Sequence, residues 1–143
     1  MNGFRIVFAV LAAAALSPVL LMALDFTCPD SLSTSQSATR TPPGWEAVPS
    51  SGTAHLDSVG FYLDNPGKGG ALAPDKTEKK EREESVLWTF SRAPGDQFWA
   101  ACIYTGTNLM LVRKIAPDVS KCEVRYALLP SGSRLRLTAI SCK

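Results

Sequence analysis

The apolar positions of this chain fall into two regimes. Between Ile6 and Ala23 they are nearly continuous and no charge interrupts them. Beyond residue 52 they recur at every second position, in short runs bounded by Gly, Pro, Asn, Asp and Ser, which is the period of half-buried strands. SVLWTFS (85–91) sets Val86, Trp88 and Phe90 against Leu87, Thr89 and Ser91, and APGD (93–96) turns the chain. Pairing Arg92 with Gln97 places Phe90 opposite Trp99, Trp88 opposite Ala101 and Val86 opposite Ile103, which predicts one face of a buried hairpin. The other face of its second strand holds Phe98, Ala100, Cys102 and Tyr104, too apolar to be left wet.

The alternation continues to the end of the sequence. GTN (106–108) leads into LMLVRKI, APDVS turns again, and CEVRYALL puts Cys122, Val124, Tyr126 and Leu128 on one side with Glu123 and Arg125 on the other. LPSGS then closes a hairpin into RLRLTAISC. The pattern predicts an all-β, mainly antiparallel fold, with five consecutive strands in a meander. TAHLDSVGFYL (53–63) adds a sixth strand, with Gly60 at a bulge. Such a sheet must close or be covered, so a small barrel or compact sandwich is expected.

Two stretches break the alternation. Residues 31–52 are rich in Ser, Thr and Pro and supply little to bury, so residues 24–52 read as an extended N-terminal arm with Trp45 as its packing anchor. KTEKKEREE (76–84) is dense in charge and has no apolar stripe that would dock it as a helix. It reads as a solvated loop leading into a strand, within a long segment, 64–84, that an inhibitor could present to a partner.

The uninterrupted apolar regime sets the compartment. One basic residue, Arg5, precedes it, Pro18 interrupts it, and its length is at the short end of the roughly 20 residues a spanning helix needs. Residues 1–23 are therefore read as a cleaved signal peptide, with Ala23 as the small residue at the cut. Asp25, Phe26 and Thr27 precede Cys28, and a charge and an aromatic at those positions do not suit lipid attachment. The expectation is a single periplasmic β-domain, 24–143, soluble rather than membrane-anchored. Removing residues 1–23 takes away one basic side chain, leaving 14 against 13 acidic, a net charge of +1 that predicts no nucleic-acid partner.

Composition also limits the chemistry. Four cysteines in an exported chain, Cys28, Cys102, Cys122 and Cys142, read as two disulfides. They are too scattered for the close pairs that structural zinc uses, and with His55 as the chain's single histidine a cysteine nucleophile has little to activate it. In a meander Cys102 and Cys122 stand about two strand spacings apart, beyond the ~7 Å reach of a disulfide. The last hairpin brings Cys122 to Cys142, provided a bulge near Thr138 to Ile140 repairs the register, and leaves Cys28 for Cys102. No GxSxG, HExxH or phosphate-loop pattern occurs, so neither catalytic residues, cofactor nor metal are expected.

The CP dipeptide after the leader, ESVLWTF, WAACIYTGT (99–107), CEVRY (122–126) and the terminal CK together resemble a family of small exported proteobacterial proteins, mostly uncharacterised. Some members of that family lie beside peptidoglycan-attacking effectors in type VI secretion gene neighbourhoods. The resemblance implies a periplasmic immunity protein that blocks the active site of such an effector, for instance an L,D-transpeptidase-like enzyme. The alternative is a structural or small-ligand-binding envelope protein. For a partner with a basic or cysteine-histidine cleft, Glu78, Glu81, Glu83 and Glu84 are the candidate contacts, with Tyr62 and Tyr104 as candidate aromatic anchors. The competing reading makes these solvated charges and sheet-packing tyrosines. Oligomeric state is not legible in the sequence.

Overall fold

A computed structural model describes residues 26–143. The leader expected over 1–23 lies outside the described residues. The chain forms β1 (Ser31–Gln36), β2 (Ser50–Leu63), β3 (Lys76–Lys79), β4 (Glu83–Thr89), β5 (Phe98–Tyr104), β6 (Met110–Lys114), β7 (Lys121–Leu128) and β8 (Arg134–Cys142), with one short 3-10 turn at Pro66–Lys68. All strand pairings between these elements are antiparallel.

The strands make two four-stranded sheets, ordered β1-β2-β5-β6 and β3-β4-β7-β8. Each odd strand pairs with the even strand that follows it, so the chain is four hairpins placed alternately in the first and second sheet. Pairing of β2 with β5 and of β4 with β7 joins the hairpins within each sheet. The result is a compact sandwich, as the alternating pattern implied, but it is not a meander. The chain changes sheets after β2, after β4 and after β6.

That crossing corrects the expected hairpin at APGD. Phe90 does not pair with Trp99; β4 and β5 lie in different sheets, and the Phe90 ring meets Phe98 at 4.9 Å across the core. Phe98, Ala100, Cys102 and Tyr104 are the buried face of β5, whereas Trp99 and Ile103 are half-exposed. The physical reason is burial: one apolar face of each strand is enough when two sheets supply the two halves of a core about 10 Å thick. Phe61, fully buried on β2, joins the layers by packing at 4.9 Å on Trp88 and 5.5 Å on Phe90.

The charge run also differs from expectation. Residues 76–84 are neither loop nor helix but the β3–β4 hairpin, in which Lys79 pairs with Glu84 and the Lys80 N–H donates to the Glu83 carbonyl at 2.8 Å. Its solvent-facing charges act as guards on the sheet edge that β3 forms. The preceding segment folds back on β2, where the Leu63 N–H donates to the Gly70 carbonyl at 2.9 Å. Gly70 takes φ 81°, and a Cβ there would stand 2.3 Å from the Leu63 carbonyl oxygen. The bulge of β2 lies between Leu56 and Ser58 instead of at Gly60, which pairs regularly with Ala101.

Two disulfides staple the sandwich, Cys28 to Cys102 and Cys122 to Cys142. The second is a directly opposed cross-strand pair, and the bulge that permits it falls at Thr138, which is skipped between the Arg125–Ala139 and Tyr126–Leu137 pairs. The expected connectivity holds, although Cys102 and Cys122 are kept apart by lying in different sheets, not by an intervening strand. Cys28 ties the start of the described chain to β5, and β1 carries that arm onto β2 as an edge strand.

Candidate functional site

Register irregularities on β8 build a charged cluster that reaches the core. Besides Thr138, Leu135 is skipped, because Ala127 pairs with Arg136 and Leu128 with Arg134. Leu135, which simple alternation with Leu137 would place on the inner face, is pushed out and is 57% exposed. The same bulge brings Arg134 toward Glu84 of β4: its Nε donates to Oε2 at 2.9 Å and its Nη2 to Oε1 at 3.0 Å. Bulges commonly re-aim side chains in this way. The guanidinium also covers the Tyr126 ring at 4.0 Å, and the Tyr126 hydroxyl accepts from the Val59 N–H at 3.1 Å, linking the two sheets.

The electrostatics follow from that geometry. The two hydrogen bonds from Arg134 hold the Glu84 carboxyl below the usual carboxylate range against the opposing effect of its burial. Burial raises the Tyr126 hydroxyl above the ordinary tyrosine value. Glu84 thus faces inward with its side chain 5% exposed, while its three fellow candidates stay at the surface.

Glu78, on β3, is exposed and pairs with Lys76 at 2.7 Å, a hydrogen bond that lowers its pKa. Glu81 lies at the hairpin tip and Glu83 at the start of β4, both exposed. Residues 76–84 carry four basic and four acidic side chains, so the hairpin is charged yet has no net sign. The tyrosines also differ from each other. Tyr104 is buried and its hydroxyl donates to the Pro29 carbonyl at 2.9 Å, and burial raises its pKa; Tyr62 is half-exposed, with its hydroxyl 3.9 Å from the Met110 sulfur. The structure therefore gathers Glu78, Glu81 and Glu83 on one hairpin and leaves the two tyrosines on the other sheet.

Three further surface features emerge. An open depression of about 290 Å³ on the second sheet is lined by residues that include Lys76, Glu78, Lys121, Glu123 and Arg125. Edge strand β6 is exposed throughout, with Leu111 and Val112 in water and Leu109 just before it. The third is the loop between β1 and β2, residues 37–49, every one of which is exposed. Trp45, read from the sequence as a packing anchor, is 74% exposed there, and Val48 is 88% exposed. The sequence signal was the turn itself: PPGW supplies two prolines and a glycine, which takes φ 83° at Gly44, and the Trp45 N–H donates to the Pro42 carbonyl at 3.1 Å. That turn holds the indole away from the sheets.

The titratable chemistry is modest. Both cysteine pairs are oxidised and the described residues leave no cysteine free. His55 is exposed on β2. Among the described residues no group of three or more His, Cys, Asp or Glu side chains is placed to hold a metal ion, and no helix is long and apolar enough to cross a membrane. What the surface offers is a rigid, stapled scaffold with an exposed apolar loop and a charge-balanced hairpin.

Comparison with known proteins places that scaffold. The model of a family described as "Type VI secretion system Tli immunity protein" matches residues 50–143, which span β2 to the end of β8. A curated relative from Azospirillum brasilense, called an uncharacterized 16.3 kDa protein in the trpG 5′ region, is 28% identical over 126 residues, covering 83% of this chain and 81% of its own. No solved structure matches the chain.

Proposed function

We propose that this chain, which belongs to the type VI secretion system Tli immunity protein family, protects its cell by binding the cognate secreted effector in the periplasm. The observation that carries the proposal is the family match over the whole sandwich from β2 onward. The architecture supports it physically. A domain stapled by two disulfides suits an oxidising compartment, and its fixed surface loses little conformational freedom on binding. Protection then comes from occupancy of the effector, without any chemical step by this chain.

The finer reading is that the protein covers the effector's active site and that the effector attacks peptidoglycan. The resemblance noted from the sequence motifs supports the second clause, and the preorganised exposed loop supports the first. Both are separable from the immunity role. Co-expression with the effector encoded by the neighbouring gene, directed to the periplasm, should restore growth, whereas the same chain lacking residues 1–23 should not. Failure of the exported chain to protect or to bind the effector overturns the immunity role. An effector that releases fatty acids from phospholipids instead of muropeptides from the wall overturns the peptidoglycan clause alone.

A further inference from the structure

Folding leaves the loop at 37–49 unused. Its residues are all exposed, yet it carries Trp45 and Val48, two side chains that the core of the sandwich could have buried. The backbone is nonetheless well constrained. Pro42, Pro43 and Pro49 fix their own φ angles. The Pro42 to Trp45 turn is closed by a 3.1 Å hydrogen bond, and six consecutive β1–β2 pairs, ending at Gln36 with Ser50, close the stem. The stem is held to the rest of the first sheet by the Gln36 side chain, whose Nε2 donates to the Gly106 carbonyl at 2.9 Å. The Cys28–Cys102 disulfide ties the chain just before β1 to β5. A projecting aromatic on a stiff stem gains nothing for the fold and loses little entropy when it is captured.

We propose that the β1–β2 loop is the element that enters the effector, with the Trp45 indole seated in an apolar recess of the effector's cleft and Val48 packing at its rim. The proposal rests on the immunity reading and deepens it by naming the contact. Loop composition defines the chemistry of the recess. Arg40 and Glu46 are the charged residues of 37–49 and cancel, so the recess is apolar and need not be strongly charged. The turn after β5, which the loop's stem touches at Gly106, runs on to the exposed Leu109 and Met110. A bilayer is the less suitable partner, because a surface-lying segment draws on several basic side chains and this loop has one.

Calorimetric titration of the full chain, purified from the periplasm, against the purified product of the neighbouring effector gene tests the proposal. Trp45→Ala should weaken the dissociation constant by at least about 30-fold, as loss of a central aromatic anchor does. Its melting temperature should stay within about a degree of the parent, since the side chain is 74% exposed and outside the core. Trp45→Phe should recover most of the affinity, and raising the salt from low to high should change the parent's affinity only slightly. If Trp45→Ala binds as tightly as the parent while the parent protects cells, the loop is not the contact and the immunity role stands. If the parent itself neither binds nor protects, both fail. Partition of the parent, but not of Trp45→Ala, into phosphatidylethanolamine and phosphatidylglycerol vesicles without effector binding would assign the loop to the membrane and overturn the proposal.

Discussion

Replacing Arg134 by alanine isolates the energetics of the inward-facing charge. The substitution deletes two short hydrogen bonds to Glu84 and the guanidinium over Tyr126, and leaves a carboxylate whose side chain is 5% exposed. Breaking a fully buried pair in this way costs about 3–5 kcal/mol, most of it the penalty for the charge left behind. Arg134 is itself 40% exposed, so its removal admits water and the expected loss at pH 7 falls to about 2–3 kcal/mol. For a domain of this size that corresponds to a melting temperature lower by roughly 10 °C. The pH dependence gives the diagnostic. In the parent the folded-state pKa of Glu84 is depressed, so the pair's contribution is fully present above about pH 4.5 and is lost as pH falls through the folded value. In Arg134→Ala the partnerless carboxylate has its folded pKa raised by burial, which reverses the sign: the destabilisation is full at neutral pH and is relieved as acid protonates the group. Urea denaturation of both proteins at pH 7 and pH 4, followed by tryptophan fluorescence under non-reducing conditions, should therefore show the gap between them shrinking in acid. Adding Glu84→Gln to Arg134→Ala should recover about 1 kcal/mol or more at pH 7. A gap below about 0.5 kcal/mol, or one that does not change with pH, would mean that Glu84 is neither buried nor held by Arg134 as a charged pair.

Other consequences can be measured on the same protein. Opening the Cys28–Cys102 bridge, which closes a loop of sequence separation 74, should cost more stability than opening Cys122–Cys142, with separation 20; chain-entropy estimates are about 4.5 and 3.3 kcal/mol, to be read from urea melts of the paired Cys→Ala variants. Gly70→Ala should destabilise by about 1–3 kcal/mol in the same melts, because the new Cβ meets the Leu63 carbonyl in a left-handed backbone region; an unchanged melt would show that this turn shifts freely. Charge reversal at Glu81 and Glu83 together should leave the fold within about 0.5 kcal/mol of the parent, since both are exposed, and should weaken effector binding if the β3–β4 hairpin touches the partner.

Much of this architecture was legible because burial on one face leaves a period-two trace. Val86 and Trp88, or Cys122, Val124 and Tyr126, mark their inner faces without ambiguity, and the parity mismatch of Cys142 pointed to the bulge found at Thr138. Which strands neighbour each other left no such trace. APGD can turn a chain back within a sheet or carry it to the facing one, and the alternation that buries Phe90 and Phe98 reads the same in either arrangement, although only the facing sheets bring the two rings together. The bulge at Leu135 was equally silent, since a lone Leu at the inner parity looks like core, and with it the Glu84–Arg134 pair stayed hidden. Trp45 was misread for a related reason. Apolar character signals a need for burial, but the partner that buries a side chain can be another molecule, and composition does not distinguish the two.

Titrating the purified effector with the full chain, while following complex formation and the effector's activity together, tests whether this sandwich protects by occupying its partner. A stable complex of fixed stoichiometry is expected, with activity falling in proportion to the effector bound, and growth protection only when the chain is exported. An effector that keeps full activity, with no complex formed at concentrations well above those that protect cells, would contradict it.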